Sequence, residues 1–321
     1  MRTMKFLSVL MLLVYFTTVA IAKDKKPEKK VWENVDFVSD YKVKFKLASA
    51  SKSLKETSLF VTNYSVNNAL RMKGSESNSK GTVHSEVFFG GIPQDKFQVM
   101  VNELYQHFQD ELTKAGIKVS DGEKEINSEY ANKQKENEKN IIGKTGKEPT
   151  HQKAGIAEGS IPGYGILFVK EGVSFKPADK NVYIAGNKIY ANFYQKLATQ
   201  ENVNLINVNY NITFAAFDGS RGYSSASLET KPVMAILPVF TLTNPKGSIS
   251  FITVEGGPIW GNEGWSLGIR ETDLNKLDYF GLATSADYAV EADPDKYIAE
   301  VKSIIMNFQT DFVAALKAEL D

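Results

Sequence analysis

Between Gln94 and Ala115 apolar side chains recur at helical spacing, at Phe97, Met100, Val101, Leu104, Phe108 and Leu112. This stripe constrains the fold more than any other feature, because a helix apolar on one side must bury that side against another layer. Pro93 and Asp95 suit its first turn, and Gly116 suits its C-terminal cap. A second such helix opens at Asp293-Pro294, N-cap and first-turn proline, and carries Tyr297, Val301, Ile304, Ile305, Phe308, Phe312 and Leu316 along residues 294–319. Two helices of this kind require a sheet to pack on.

The strands of that sheet are legible as period-2 alternation. From Asp40, Tyr41, Val43, Phe45 and Leu47 share one face and lysines the other; Ser58–Val66 and Thr82–Phe89 follow, with the polar run RMKGSESNSKG between them read as a loop. Ile117–Ser120 resumes as a strand after the first helix, giving a strand, helix, strand unit. Gly122–Lys153 is dense in Glu, Lys, Asn and Gln and reads as a solvated helix running into a linker, with Ile126 and Tyr130 on one face and a Glu129–Lys133 i, i+4 pair. Gly165–Lys170 and Val182–Ala185 are strand candidates, and Lys188–Ala198 is a short helix.

Farther on, Val208, Tyr210, Ile212, Phe214 and Ala216 form a dry face opposite a wet face of Asn207, Asn209, Asn211 and Thr213, which predicts a long strand with antiparallel pairing. Asp218–Gly222 reads as a hairpin turn. Pro232–Thr243 and Ser248–Val254 flank Asn244-Pro245-Lys246-Gly247, a type I turn sequence, and so form a hairpin. The expected class is α+β (α/β-type): a mixed, largely antiparallel sheet packed by amphipathic helices 94–115 and 294–319.

The N-terminus adds a compartment. Arg2 and Lys5 precede the apolar run Phe6–Phe16, and Ala20-Ile21-Ala22 is a small-residue cleavage site, the three parts of a secretory signal peptide over 1–22. The apolar run is shorter than the roughly 20 residues of a spanning helix. A charged, flexible leader occupies 23–39; then come an N-terminal α/β half, 40–155, and a β-rich C-terminal half with its closing helix, 156–321, the two halves being separate or one continuous domain. The expectation is an exported protein, periplasmic or extracellular, with no transmembrane helix in its mature form.

Composition removes several function classes. With no cysteine there are no disulfides, no thiolate metal sites, no cysteine nucleophile and no lipid-carrying cysteine after the leader. Lysine plus arginine balance aspartate plus glutamate at 38 each. Losing Arg2 and Lys5 leaves the mature chain slightly acidic, and the whole chain has only four arginines. Nucleic acid, which is read largely through guanidinium groups, is not an expected ligand.

Three catalytic motifs are matched in letters and not in context. Gly264-Trp265-Ser266-Leu267-Gly268 fits the nucleophile elbow, but the last histidine, His151, lies upstream, whereas that order needs a downstream base. Ser77-Asn78-Ser79-Lys80, Ser120-Asp121-Gly122 and Lys144-Thr145-Gly146 follow the penicillin-binding order, yet the first and last fall in the most polar stretches. A phosphate loop at Gly143-Lys144-Thr145 would need glycine where Glu138 stands. His84, His107 and His151 have no metal-ligand spacing, and no cofactor is expected. One candidate ligand site remains: Trp260, Asn262, Glu263 and Trp265 place two indoles beside polar groups on a glycine-rich loop, the pattern with which many exported proteins grip a sugar or a partner protein. The competing reading is that both indoles fill the core.

The order of strand Ser58–Val66, strand to Phe89, amphipathic helix, Gly116-Ile117-Lys118-Val119-Ser120-Asp121, and then the Glu-rich EKEINSEYANKQ with Glu125 and Glu129 at E-x-x-x-E spacing resembles a group of exported bacterial envelope proteins. These are the relatives of the curli-secretion lipoprotein CsgG, the penicillin-binding-protein activator lipoproteins and the N-terminal domain of TolB. The resemblance spans Ser58–Asp218 and implies that Asn202–Asp218 is a central antiparallel strand and that Asp293 begins a closing helix. The chain departs from the group in lacking a lipidated cysteine and in a longer linker, Lys144–Ile161. What the resemblance implies is a non-enzymatic envelope component that binds a partner protein or forms a homo-oligomer. A carbohydrate-binding module using the Trp260–Trp265 loop is the alternative, and a hydrolase with residues scattered in sequence is the third.

Overall fold

The computed structural model describes residues 42–44, 51–133, 172–177, 191–221, 226–255, 258–271, 278–279, 282–283 and 288–321. All lie in the unit Asp36–Asp321. The leader, the strand candidates Gly165–Lys170 and Val182–Ala185, the Lys144-Thr145-Gly146 motif and His151 lie outside the described residues.

Among the described residues eleven strands form one mixed sheet. Its path runs from β1 (Lys42–Lys44) through β8 (Ile249–Glu255), β7 (Ala226–Thr243), β6 (Asn204–Arg221), β2 (Leu59–Asn78), β3 (Gly81–Gly90) and β13 (Tyr288–Ala292) to β10 (Ser266–Glu271). Of the strands off this path, β4 (Val119–Ser120) and β5 (Gly172–Pro177) pair with β2, and β9 (Ile259–Trp260) pairs with β7. A separate pair is formed by β11 (Asp278–Tyr279) and β12 (Leu282–Ala283). The helices are α1 (Ser51–Glu56), α2 (Gln94–Lys114), α3 (Glu123–Ile126), α4 (Ala191–Glu201) and α5 (Pro294–Leu320). None is long and apolar enough to cross a membrane.

The sheet joins the two halves of the chain, because β2 pairs in parallel with β6 from Leu59↔Asn204 to Asn68↔Ile212. The long β6 strand is antiparallel to β7, as its alternation predicts, and parallel to β2. Its even residues Ile206 to Phe214 are buried in the main core with Val61, Tyr64 and Val66 of β2 and Ile236, Phe240 and Leu242 of β7. A bulge between Thr213 and Ala215 then reverses the phase, so that Ala215 and Phe217 take the core side in place of Ala216. The asparagine face is not wet. Asn207 and Asn211 are buried; Ser65 donates to Asn209 Oδ1 at 2.6 Å and Asn67 donates to Asn211 Oδ1 at 3.1 Å, a ladder of side chains joining β2 to β6.

Helices α2 and α5 cover the apolar side of the sheet, and every residue of both predicted stripes is buried. A fully buried side chain of this size contributes about 1.5–3 kcal/mol. The end of α2 is set by Gly116 at φ +80, and the start of α5 by Asp293, whose side chain accepts from the N–H groups of Asp295 and Lys296. Asp293→Ala is expected to cost about 1 kcal/mol, read as a shift of the urea midpoint at unchanged slope. The type I turn expected after β7 is present: Gly247 N–H donates to Asn244 O at 2.8 Å, with Gly247 at φ +76.

Between α2 and α5 runs a buried polar chain. Gln309 of α5 is wholly enclosed, and its Nε2 donates to Tyr64 Oη at 2.6 Å and to the Leu104 carbonyl at 3.2 Å. That fixes Oε1 as the acceptor facing His107 Nδ1 at 2.7 Å. Burial pushes the Tyr64 phenol well above its usual range, the neighbouring Tyr210 adds to the shift, and the Gln309 amide opposes it. A group whose folded pKa is raised keeps its full contribution below its unfolded pKa, about 10 for tyrosine, and loses it as the pH climbs toward the folded value. Stability is therefore expected to fall above about pH 10 with a Tyr64 component of about 1.4 kcal/mol per pH unit. Urea titrations across that range should show this component absent in Tyr64→Phe.

Candidate functional site

Trp260, Asn262, Glu263 and Trp265 do not converge on one surface. Trp260 sits half-buried on β9, paired with Ala235 of β7. Asn262 is exposed, and its backbone N–H donates to Glu300 Oε1 of α5 at 2.7 Å. Glu263 is also exposed and forms an ion pair with Lys231. Trp265, by contrast, is 1% exposed, with its ring 5.3 Å from Tyr297 and 6.2 Å from Phe89. It therefore fills core space beneath the loop, and of these two indoles Trp260 alone has surface to offer a ligand.

The other candidate motifs fall apart in space. Ser266 begins β10 instead of sitting on a turn into a helix, and its Oγ accepts from the Gly268 N–H at 3.0 Å. His107 is held by Gln309, His84 lies exposed on β3, and Ser77 and Lys80 stand at a hairpin tip. Ser120 donates to the buried Glu125 at 3.0 Å, so Glu125 anchors the start of the Glu-rich segment while Glu129 faces solvent. Among the described residues no group of three or more histidine and carboxylate side chains could hold a metal ion.

What the sequence reading passed over is a pair of β-ribbons. The run RMKGSESNSKG is not a loop: β2 continues to Asn78, turns through Ser79-Lys80 and returns as β3, with Arg71↔Phe88 through Asn78↔Gly81 in antiparallel register. Asn78 Oδ1 clamps the turn by accepting from the Lys80 and Gly81 N–H groups at 2.9 and 3.1 Å. Likewise Asp218–Arg221 is strand, not turn, paired with Ala226–Glu229 of β7. The two ribbons stack face to face. Gly74 leaves room for the Phe217 ring, Gly219 leaves room for the Glu76 side chain, and the Ser85 and Thr230 hydroxyls lie 3.0 Å apart. Polar composition hid them, because a ribbon solvated on its outer face and packed on another through glycine has no apolar alternation to betray it.

These ribbons present backbone. β13 pairs with β3 only over Val87–Gly90, and β2 pairs with β6 only as far as Ile212. Among the described residues, then, no strand lies along the outer edge of β3 over Gly81–Glu86 or along the far edge of β6 over Thr213–Arg221. Thr82, Val83 and His84 are exposed on the first of these edges. The two ends of the sheet differ: one is the lysine-flanked Lys42-Val43-Lys44, and the other, β10, breaks register between Ser266 and Gly268, with Gly268 at φ +118. Charge and irregularity are the usual ways of blunting an edge strand, and β3 has neither over Thr82–His84. No protein-family model, curated protein or solved structure matches this chain.

Proposed function

We propose that this chain is an exported, non-enzymatic envelope protein that binds a partner protein or assembles with copies of itself by strand addition along its paired ribbons. The observation that carries the reading is the exposed edge of β3 at Thr82–His84, which no described strand covers, on a ribbon braced from behind by the β6–β7 hairpin. An added strand gains a row of main-chain hydrogen bonds there without reorganising the sheet. The leader pattern over Met1–Ala22 supports export, and the balanced charge suits a partner that is not a polyanion.

The test transplants the Lys-Val-Lys pattern of β1 onto this edge. Sedimentation velocity of the leader-free protein over a hundredfold concentration range is expected to show association that Thr82→Lys with His84→Lys abolishes. A single monomeric species at every concentration would refute self-assembly, and association unchanged in the variant would refute the ribbon edge as its route.

A further inference from the structure

A second surface carries ligand chemistry that the ribbons do not use. Helical residues 129–133 and α4 flank a cleft of about 610 Å³ lined by Tyr130, Lys133, Gln195, Lys196, Thr199 and Gln200. Its volume falls within the range of small-molecule sites. Beneath it Leu197, Ala198, Phe60 and Leu205 form a small core of their own, with Tyr130 packed against it, so the cleft stands on a fixed floor. The Asn244–Gly247 turn closes in beside Thr199 and Gln195.

Both lysines are exposed. Among the described residues Lys133 makes no ion pair with Glu129, its expected i, i+4 partner, and Lys196 makes none either. The nearby carboxylate of Glu201 is taken by Lys124 at 3.6 Å. The groove between α2 and α5, of about 390 Å³, shows the contrast: its cations are neutralised by Lys96–Asp295 and Lys302–Glu103 pairs.

We infer that the cleft binds an acidic sugar. The Lys133 and Lys196 ammonium groups, unpaired among the described residues, supply the attraction for a carboxylate. Two glutamine amides offer donors and acceptors to sugar hydroxyls, the Thr199 Oγ, whose own proton goes to the Gln195 carbonyl at 2.8 Å, offers an acceptor, and the half-exposed Tyr130 ring gives an apolar surface for a pyranose. This goes beyond the ribbon reading and involves none of its residues.

Titration calorimetry of the leader-free protein with digalacturonate, a neutral galactose disaccharide and inorganic phosphate tests it. Digalacturonate is expected to bind, to weaken as salt is added, and to bind at least tenfold more tightly than the neutral sugar. Lys133→Ala with Lys196→Ala should lower that affinity at least tenfold, while Lys317→Ala, on the exposed end of α5, leaves it unchanged; circular dichroism checks that each variant is folded. No heat with digalacturonate, equal affinity for the neutral disaccharide, binding of phosphate alone, or full affinity in the folded double variant would each overturn the inference.

Discussion

Trp265→Ala is expected to lower the free energy of unfolding by about 3–5 kcal/mol, the range for deleting a large aromatic from a packed core. The indole lies against Phe89 and against Tyr297 of α5 in the main core. Trp260→Ala removes a half-buried ring from a two-residue strand and should cost clearly less. One detail sharpens the contrast. The Trp265 Nε1–H is buried without a hydrogen-bond acceptor, a condition that costs about 1–3 kcal/mol. Trp265→Phe keeps most of the ring volume and discards the orphaned donor, so it should be at least about 2 kcal/mol milder than the alanine variant. Urea denaturation followed by far-UV circular dichroism checks all three; equal losses for Trp260→Ala and Trp265→Ala would mean that the two indoles share one environment.

Gly74→Ala should be the most damaging single change in the ribbons. A methyl at that position falls on the Cβ, Cγ and Cδ1 atoms of Phe217, which cannot clear the space without moving the β6–β7 hairpin. Overpacking of this kind costs about 1–3 kcal/mol. Phe217→Ala opens the space, so the double variant should recover at least about 1 kcal/mol relative to the sum of the single losses. Hydrogen exchange should show the loss concentrated at Arg71–Glu86 and Ala215–Lys231. Additive losses would mean that the ribbons do not brace each other.

Much of this architecture was written in the side-chain pattern, and what was not has definite causes. The helices α2 and α5 were legible to within a residue or two, because their stripes are long and their termini carry Gly116 and Asp293-Pro294. The type I turn at Asn244–Gly247 was legible for the same reason: the turn chemistry is local. Long-range facts were not. The β6 bulge shifts Ala215 and Phe217 inward, and no local residue announces it. The asparagines of β6 look solvated until β2 lies beside them with Ser65 and Asn67 in register. Glu129 and Lys133 have ion-pair spacing, yet Lys133 lines the cleft beside α4 instead. As for function, tryptophan and glycine make the Trp260–Trp265 loop conspicuous in one dimension, whereas the edge of β3 is made of threonine, valine and histidine, and only the strand pairing reveals that no described strand covers it.

Because the chain has no cysteine, single thiols report position without interference. The decisive measurement is therefore short-range thiol crosslinking of Thr82→Cys, on the edge of β3, against Lys317→Cys, on the exposed end of α5, with the full-length chain in the cells that produce it. Thr82→Cys should give a discrete adduct with a second copy or with one partner protein, blocked by an added His84→Lys, and Lys317→Cys should give none. Silence at Thr82, or an adduct at Lys317 alone, would contradict recognition through the ribbon edge.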